Sequence, residues 1–429
     1  MRKKAALLLL FLFLFPAATG CYDRREPDEV AYVAAIGLDK GGTDRLRLSL
    51  QIVRLAEGGR GIGMGGGGGQ EAGPGDETVI ITVDCPSPFT GMNMASTSVT
   101  RQLNLMHAKV LIFSDELAGS QDFEKYISGL VRYREIRKIM HIMVTRGKAE
   151  DFMKENKTVI GENPPKTLQM LADSSAFTGF IPDTNLFKFY NNFKSTFQRP
   201  VTILAGVNSL KNLKKPGEGE MQESTSGGNY LAGELPREGY LKRELFGTAV
   251  FDGAKMTGEL NGTETRALLM IKGEFKRGFF TIKDPIKPGY VVPLDVFPSR
   301  KPEIKVNVQG QTPEINVKIR LEGDILAVQS RENYEKPELK PVLEQAFENE
   351  IKSQVDSVIA KCQREFGTDI FGFGRTAASK FLTIEDWENY RWHEQFPNAT
   401  VNTEVDFTIR RTGLMLKSSP IVSVEESIK

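Results

Sequence analysis

The stretch ELKPVLEQAFENEIKSQVDSVIAKCQREFG, residues 338–367, predicts the most strongly marked helix of this chain. Apolar residues recur along it at intervals of three and four, which places them on one face of an α-helix. That stripe consists of Leu339, Val342, Leu343, Phe347, Ile351, Val355, Val358, Ile359, Cys362 and Phe366. Gly367 then supplies the left-handed residue that commonly follows a helix. We therefore predict a helix over 338–366 with one buried face.

Strands surround this helix in the sequence. Residues 401–410 alternate apolar and polar side chains, as do residues 304–308 and 315–319 on either side of a turn at 310–313. Alternation of this kind is typical of strands with one buried face. Residues 246–260 predict a tight hairpin, followed by a short helix that Asn261 or Thr263 caps. The second half is thus expected to be a sheet packed against one long helix.

The first half alternates shorter elements. We predict strands near 30–38, 45–54, 78–83, 108–113 and 139–144, and helices near 96–105, 123–133, 148–154, 164–173 and 186–197. The glycine-rich tract 57–76 is expected to be a flexible loop between two strands of one sheet. This order favours α/β or α+β for the first half.

The whole chain of 429 residues is long enough for two or three domains. Residues 211–237 are polar with scattered Gly and Pro, and they indicate a linker, which we place at 206–237. We therefore expect an α+β protein of mixed sheets packed with helices, in two main domains, 21–205 and 238–429. A further division of the second domain is predicted near 276–300.

The first twenty residues have the order of a signal peptide. A basic head, MRKK, precedes the apolar run AALLLLFLFLF at 5–15, which is too short to cross a hydrocarbon core of about 30 Å. Pro16 and the small residues 17–20 follow, and we expect cleavage after Gly20. The order Ala-Thr-Gly-Cys at 18–21 resembles the bacterial lipobox, although Ala18 stands where Leu is commoner.

Lipidation of Cys21 is therefore the favoured interpretation. The thiol would carry diacylglycerol by thioether, with palmitate among the acyl chains, and several chains anchor a protein stably where one does not. Two alternatives are open: ordinary cleavage with Cys21 incidental, and a membrane-spanning anchor.

The net charge of the chain limits the classes of partner that it can bind. The chain has 56 basic and 55 acidic residues, so removal of the three basic residues of the head leaves 53 against 55, a net charge near −2. This balance disfavours a nucleic-acid partner. It also argues against electrostatic membrane docking through a broad basic face, which leaves the lipid as the expected membrane contact.

No catalytic, metal or cofactor site is predicted. The three histidines, His107, His141 and His393, lie far apart, and no hydrolase or phosphate-loop motif occurs. We expect His107 and His141 to be structural and His393 to be stacked or exposed. Two patterns of the dinucleotide-binding type are rejected: the one at 61–66 occurs by chance in the glycine-rich tract, and the one at 372–377 follows a helix rather than a strand. Cys85 and Cys362 are expected to be separate buried thiols, with a disulfide as the alternative.

Five stretches in order resemble the Ger(x)C family, the lipoprotein C subunits of spore germinant receptors. They are GCYDRREPDEVAYVAAIGLDK at 20–40, TRQLNLMHAKVLIFSDELA at 100–118, YREIRKIMHIMVTRGKAEDFM at 133–153, FGTAVFDGAKMTGELNGTETRALLMIKGEFKRG at 246–278 and DIFGFG at 369–374. Trp387 and Trp392 follow the last motif. Tyr22 takes the position that is usually Trp, and the glycine-rich tract is longer than the family pattern.

The resemblance implies a mixed α+β fold in about three subdomains, with no catalysis attributed to it. It implies a complex with a multi-pass B subunit and an A subunit, at the inner membrane of the dormant spore, with this subunit anchored on the outer face. Tyr22, Asp23, Arg24, Arg25 and Glu26 directly follow the anchor and are candidate partner or membrane-proximal contacts; a solvated tether is the alternative. Asp369–Gly374 is expected to be a buried turn, or else a contact loop.

Two other functions stay open. A lipoprotein that captures a small nutrient itself would need a pocket between domains with convergent polar groups. A cell-wall hydrolase would need paired carboxylates or a zinc set.

Overall fold

A computed structural model of the chain describes residues 29–53, 78–155, 164–214, 227–310 and 312–412. Its strands are β1 (Val30–Lys40), β2 (Leu46–Val53), β3 (Thr78–Cys85), β4 (Gln102–Asn104), β5 (Val110–Ser114), β6 (His141–Arg146), β7 (Val201–Val207), β8 (Arg243–Asp252), β9 (Lys255–Leu260), β10 (Gly278–Lys283), β11 (Val291–Asn307), β12 (Glu314–Ile325) and β13 (Thr400–Arg411). The elements build two mixed sheets, which confirms the α+β prediction.

The helices connect and cover these sheets. They are α1 (Pro88–Ser96), α2 (Asp115–Ala118), α3 (Phe123–Arg132), α4 (Ala149–Lys154), α5 (Pro164–Asp173), α6 (Ser175–Thr178), α7 (Leu186–Phe193), α8 (Gly262–Lys272), α9 (Lys340–Lys361), α10 (Phe373–Ala378), α11 (Ile384–Tyr390) and α12 (Trp392–Gln395). A π-helical turn, Cys362–Phe366, continues α9 up to Gly367, whose φ of 62° confirms the predicted left-handed end.

The first sheet has nine strands in the described residues, in the order β3-β2-β1-β5-β6-β7-β8-β9, with β4 beside β1. Strands β1, β5, β6 and β7 run parallel, and the outer strands are antiparallel. Alternate residues of β5 face two cores. Leu111 and Phe113 pack in the core that contains residues of α3 and α7, whereas Val110 and Ile112 pack in the core that contains residues of α4 and α5.

The second sheet, β10-β11-β12-β13, packs against α9. Phe347 of the helix contacts Phe407 of β13, with ring centroids 4.2 Å apart. Two glutamates of α9 also cover the free edge of this strand: Glu348 accepts from the N–H of Phe407 at 2.9 Å, and Glu344 accepts from the N–H of Ile409 at 2.8 Å. A covered edge cannot pair with another chain. The predicted helix-on-sheet arrangement is confirmed.

Sequence signals explain several boundaries. Asn261 caps α8 by accepting from the N–H of Glu264, whose side chain accepts in return from the N–H of Asn261, a capping box. The strands on both sides of the glycine-rich tract pair as β2 and β3, as expected; the tract itself lies outside the described residues.

Other expectations were wrong. The helix predicted near 96–105 is instead α1, which starts earlier because Ser87 caps it and Pro88 occupies its first turn. Leu103, in the second half of that stretch, is buried in β4 beside β1. Val342 was expected on the buried stripe of α9, yet 41% of its surface is exposed.

The chain crosses from the first half to the second within one sheet. Strands β8 and β9 follow the predicted linker, yet β8 pairs with β7 and so extends the first sheet. The division into units 21–205 and 238–429, with a split near 276–300, stays a prediction about folding units.

Candidate functional site

A cleft of about 450 Å³ lies where the two halves meet. The first half contributes the segment before α7, α7 itself and the start of β7. The second half contributes the end of α8, Ile304 of β11 and the start of α10. Its volume suits a small solute.

Asp369 holds the turn beside this cleft. Its carboxylate accepts the N–H groups of Phe371 and Gly372 at 2.9 Å and that of Gly374 at 2.8 Å. The indole Nε1 of Trp392 adds a fourth donor at 2.9 Å. Burial raises the pKa of this carboxyl, and the hydrogen bonds from Gly374, Trp392 and Gly372 act against that rise. Phe371 and Phe373 are buried, so the DIFGFG motif is the buried turn rather than a contact loop.

Both glycines of the motif allow close packing. Gly372 has a φ of 87°, and a Cβ there would lie 2.6 Å from Oε1 of Gln198. A Cβ on Gly374 would lie 2.3 Å from the carbonyl oxygen of Phe197 and 2.6 Å from the Trp392 ring. The turn therefore fits against the segment that follows α7 because Gly374 has no side chain, while Gly372 supplies the left-handed backbone that the turn requires.

Further contacts fix the two halves at this junction. The N–H of Arg199 donates to the carbonyl oxygen of Asp369 at 2.8 Å. The indole Nε1 of Trp387 donates to Oγ1 of Thr196 at 3.0 Å, and its ring stacks on Phe197 with centroids 5.6 Å apart. The cleft therefore has a rigid wall.

A buried arginine makes a second junction. Arg266 of α8 donates to the carbonyl oxygen of Thr178 from Nε at 2.9 Å and from Nη2 at 2.8 Å, and to that of Phe279 from Nη1 at 2.9 Å. Its guanidinium lies 3.7 Å and 4.4 Å from the ring centroids of Phe180 and Phe280. Burial lowers its pKa to about 9, so the group is still charged at neutral pH.

His393 differs from its prediction. Both ring nitrogens are inaccessible to solvent and make no hydrogen bond of regular geometry within the described chain, so the expectation of stacking or surface exposure was wrong. Its pKa is lowered to about 4, chiefly by burial and secondly by the nearby Arg199, while Asp252 and the backbone of Thr196 act in the opposite direction. The pKa shift of His393 depends on the tertiary structure, because Asp252 lies in β8 and Arg199 lies just before β7 of the first sheet.

The cleft itself has a small charge imbalance. Lys188 pairs with Asp183 at 3.0 Å, and Lys272 pairs with Glu274 at 3.3 Å. Arg375 is exposed in the lining and makes no ion pair with the described residues. The lining can therefore attract a carboxylate through one free guanidinium.

The cleft residues come from segments far apart in the chain, so no local motif predicted them. The glycine spacing of the DIFGFG motif indicated the turn itself but not the cleft beside it. Phe187 is 53% exposed and lines the cleft. In α7 the buried positions are Leu186, Phe189 and Phe193.

The other predicted residues lie apart. His141 has a structural role: its Nδ1 lies 3.2 Å from the carbonyl oxygen of Thr184 and its Nε2 lies 3.4 Å from Asp173. His107 is exposed and contacts the ring of Tyr32 edge-on. Cys85 and Cys362 are free, buried thiols, and burial raises the pKa of each.

The predicted anchor region, Gly20, Cys21 and Tyr22–Glu26, lies outside the described residues. Within the described ranges, no helix is both long and apolar enough to cross a membrane. The same ranges contain no group of three or more His, Cys, Asp or Glu side chains placed to hold a metal ion.

Comparison with known proteins identifies the class to which this two-sheet fold belongs. Residues 23–207 match the family described as "Spore germination protein N-terminal domain", and residues 246–413 match "Spore germination B3/ GerAC like, C-terminal". The chain belongs to the Ger(x)C family of spore germination proteins, the germinant receptor C-subunit family, as its resemblance implied.

Relatives match over nearly their whole lengths. Spore germination protein KC of Bacillus subtilis (strain 168) is 25% identical over 427 residues, which cover 98% of each chain. Spore germination protein B3 of the same organism is 21% identical over 432 residues, covering 97% of this chain and 100% of the relative. A crystal structure titled as that of the GerBC protein has a TM-score of 0.48 at 17% identity, covering 87% of this chain and 96% of the other.

Proposed function

We propose that this protein is a non-enzymatic, lipid-anchored subunit of a nutrient germinant receptor, needed for spore germination. The observation that carries the proposal is the family match, which extends over both halves of the chain. The proposed partners are the A and B subunits, and the proposed location is the outer face of the spore inner membrane.

The anchor in this proposal is diacylglycerol on Cys21, with cleavage after Gly20. The short apolar run, the small residues before the cysteine and the absence of a longer apolar segment from the sequence support it. Residues 22–29 would then be the tether that links the lipid to β1, and Tyr22–Glu26 would lie near headgroups or a partner.

The test replaces Cys21 by Ala in the chromosomal gene. We expect the variant to leave the washed membrane fraction and nutrient germination to become slower, while mass spectrometry shows no acylated N-terminal peptide. Tyr22→Phe is the matched control, because it keeps the thiol and should be acylated normally. Retention of Cys21→Ala in the membrane at the level of the control, with normal germination, would contradict the proposal.

A second candidate function is direct capture of a small nutrient in the cleft. The observation that favours it is the convergence of Gln198, Asn191 and Arg375 on a lining that also contains Val201 and Phe371. A small solute with a carboxylate and an apolar part fits such a lining.

Calorimetry with amino acids and sugars tests this candidate on the full chain. Binding of a carboxylate solute that Arg375→Ala weakens by about tenfold would support it. Lys380→Ala is the control, because Lys380 is exposed and outside the lining. No heat with any solute would exclude capture in the cleft.

A further inference from the structure

The start of β1 identifies the side of the fold that would face the anchor. Residues 22–29 separate Cys21 from Val30, and an extended chain of that length reaches about 30 Å. Val30, Ala31 and Tyr32 pair with β4 in parallel, and Ala35 pairs with Val110 at the start of β5. An anchor on Cys21 therefore holds this edge of the first sheet close to the bilayer.

The loop between α3 and β6 lies at the same edge. Val110 pairs with His141 at the start of β6, so the residues just before His141 extend in the direction of Val30. Two strand spacings separate β1 from β6, about 10 Å. The N–H of Leu105, next to β4, also lies 3.4 Å from Oε2 of Glu135 in this loop.

This edge carries exposed basic side chains. Arg132 ends α3, and Arg134, Arg137 and Lys138 follow in the loop; all four are exposed. None of the four makes an ion pair with another described residue. The neighbouring acids are engaged: Glu135 is buried and accepts from Leu105, Asp173 lies 3.4 Å from His141, and Asp183 pairs with Lys188.

Apolar side chains lie among these cations. Ile139 is 71% exposed, directly after Lys138, and Met106 is 45% exposed after β4. The N–H of Phe187, whose side chain is 53% exposed, donates to the carbonyl oxygen of Lys138 at 2.8 Å. Basic residues around exposed apolar side chains are typical of surfaces that rest in a bilayer interface.

We infer that this face, defined by Arg132, Arg134, Arg137, Lys138, Ile139 and Met106, docks on the anionic phospholipid headgroups of the bilayer that carries the anchor. The inference rests on the proposed anchoring at Cys21, which brings the face within reach. The lipid tethers the protein, and the face sets its orientation. A net charge near −2 is compatible with this, because the four cations are concentrated at the end of α3 and in the loop that follows it.

The test measures vesicle binding without any acyl chain. The full chain from residue 21, with Cys21→Ser and no signal peptide, is mixed with vesicles of phosphatidylcholine alone or with about one third phosphatidylglycerol. We expect binding only to the anionic vesicles, weakened by salt. The double substitution Arg137→Glu with Lys138→Glu should lower the partition coefficient by at least roughly 30-fold, since each cation near an anionic surface contributes about fivefold.

The matched control is Lys211→Glu with Lys214→Glu. Both lysines are exposed after β7, at the opposite edge of the parallel strands, and the change in charge is the same. Equal binding of the two double variants would overturn the inference, as would equal binding to both kinds of vesicle. Cross-linking from position 138 to a protein subunit, without vesicle binding, would assign the face to a protein partner and overturn it as well.

Failure of the proposed anchoring at Cys21 is detected by a measurement separate from the vesicle assay. Acylation of Cys21 is measured by mass spectrometry on protein from cells, and the vesicle assay uses chain that carries no lipid. The two outcomes therefore do not depend on each other.

Discussion

Oδ2 of Asp369 accepts a hydrogen bond from the indole Nε1 of Trp392 at 2.9 Å. The same oxygen also accepts from the N–H of Gly374, and Oδ1 accepts from two further N–H groups of the turn. A fully buried carboxylate thus satisfies the donors of its own turn and connects it to α12.

Replacing Asp369 by Asn tests this role. An amide has only one acceptor oxygen, so its NH₂ group would face an N–H donor on one side of the turn. We expect a loss of about 2–4 kcal/mol in the free energy of unfolding, measured by urea denaturation. Glu385→Gln, at an exposed position of α11, should change it by less than about 0.5 kcal/mol. Similar stability of the two variants would show that the carboxylate is not structural.

Gly374→Ala should destabilise the same turn by steric overlap. A Cβ there meets the carbonyl oxygen of Phe197 and the Trp392 ring within 2.6 Å, so the segment after α7 must move. We expect a cost of about 2–3 kcal/mol in the free energy of unfolding. Gly289→Ala is the matched control, because a Cβ at Gly289 has no atom within 4 Å. A neutral Gly374→Ala would mean that the two segments are not packed as described.

Arg266→Lys tests the second junction. Lysine keeps the positive charge but cannot donate to the carbonyl oxygens of both Thr178 and Phe279 while lying between two aromatic rings. We expect a loss of about 2–3 kcal/mol in the free energy of unfolding. Arg391→Lys, whose side chain is 70% exposed, serves as the control and should be close to neutral. A loss no larger than that of the control would contradict the bridging role.

His393 predicts a pH dependence of stability. Its pKa is lowered to about 4 in the folded protein, so the unfolded chain binds the proton more readily. This contribution to the free energy of unfolding is complete above a pH of about 6.5 and is lost as the pH falls toward 4. After allowance for solvent screening, the loss is about 1–2 kcal/mol.

Unfolding measured across this pH range compares His393→Phe with the unaltered chain. The variant should lack the component that His393 adds to the slope, whereas His107→Gln, at an exposed position, should keep it. Identical slopes for His393→Phe and the unaltered chain would refute the assignment.

A double-mutant cycle measures the contact between Trp387 and Thr196, which lie 191 positions apart in the chain. Thr196→Val and Trp387→Phe each remove one partner of the hydrogen bond. We expect a coupling of about 1 kcal/mol in the free energy of unfolding. Thr196→Ser keeps the hydroxyl and should retain most of this coupling; additive single effects would mean that the hydrogen bond contributes nothing.

Local patterns were sufficient for the long helix and for most strands. The stripe on residues 338–366 repeats over many turns, so a single error at Val342 did not alter the prediction. The helix near 96–105 failed because pairing of Leu103 with β1 overrides the local preference. The burial of His393 and the composition of the cleft depend on residues that only the folded chain brings together, so no sequence window contained them.

The basic face could not be predicted from the sequence for a related reason. Net charge averages over the whole chain, whereas the position of Arg137 and Lys138 beside the start of β1 follows from the register of three parallel strands. Only that register shows that the basic loop and the start of β1 lie at the same edge of the sheet.

The pairing of β7 with β8 has a consequence for how this protein can be divided. The two family matches end and begin at 207 and 246, yet the strands at these borders are hydrogen-bonded neighbours. A chain truncated between them would leave β7 with an unpaired strand edge, which promotes aggregation. We expect a chain nicked between them to migrate as one particle, because the second fragment supplies the strand that covers β7.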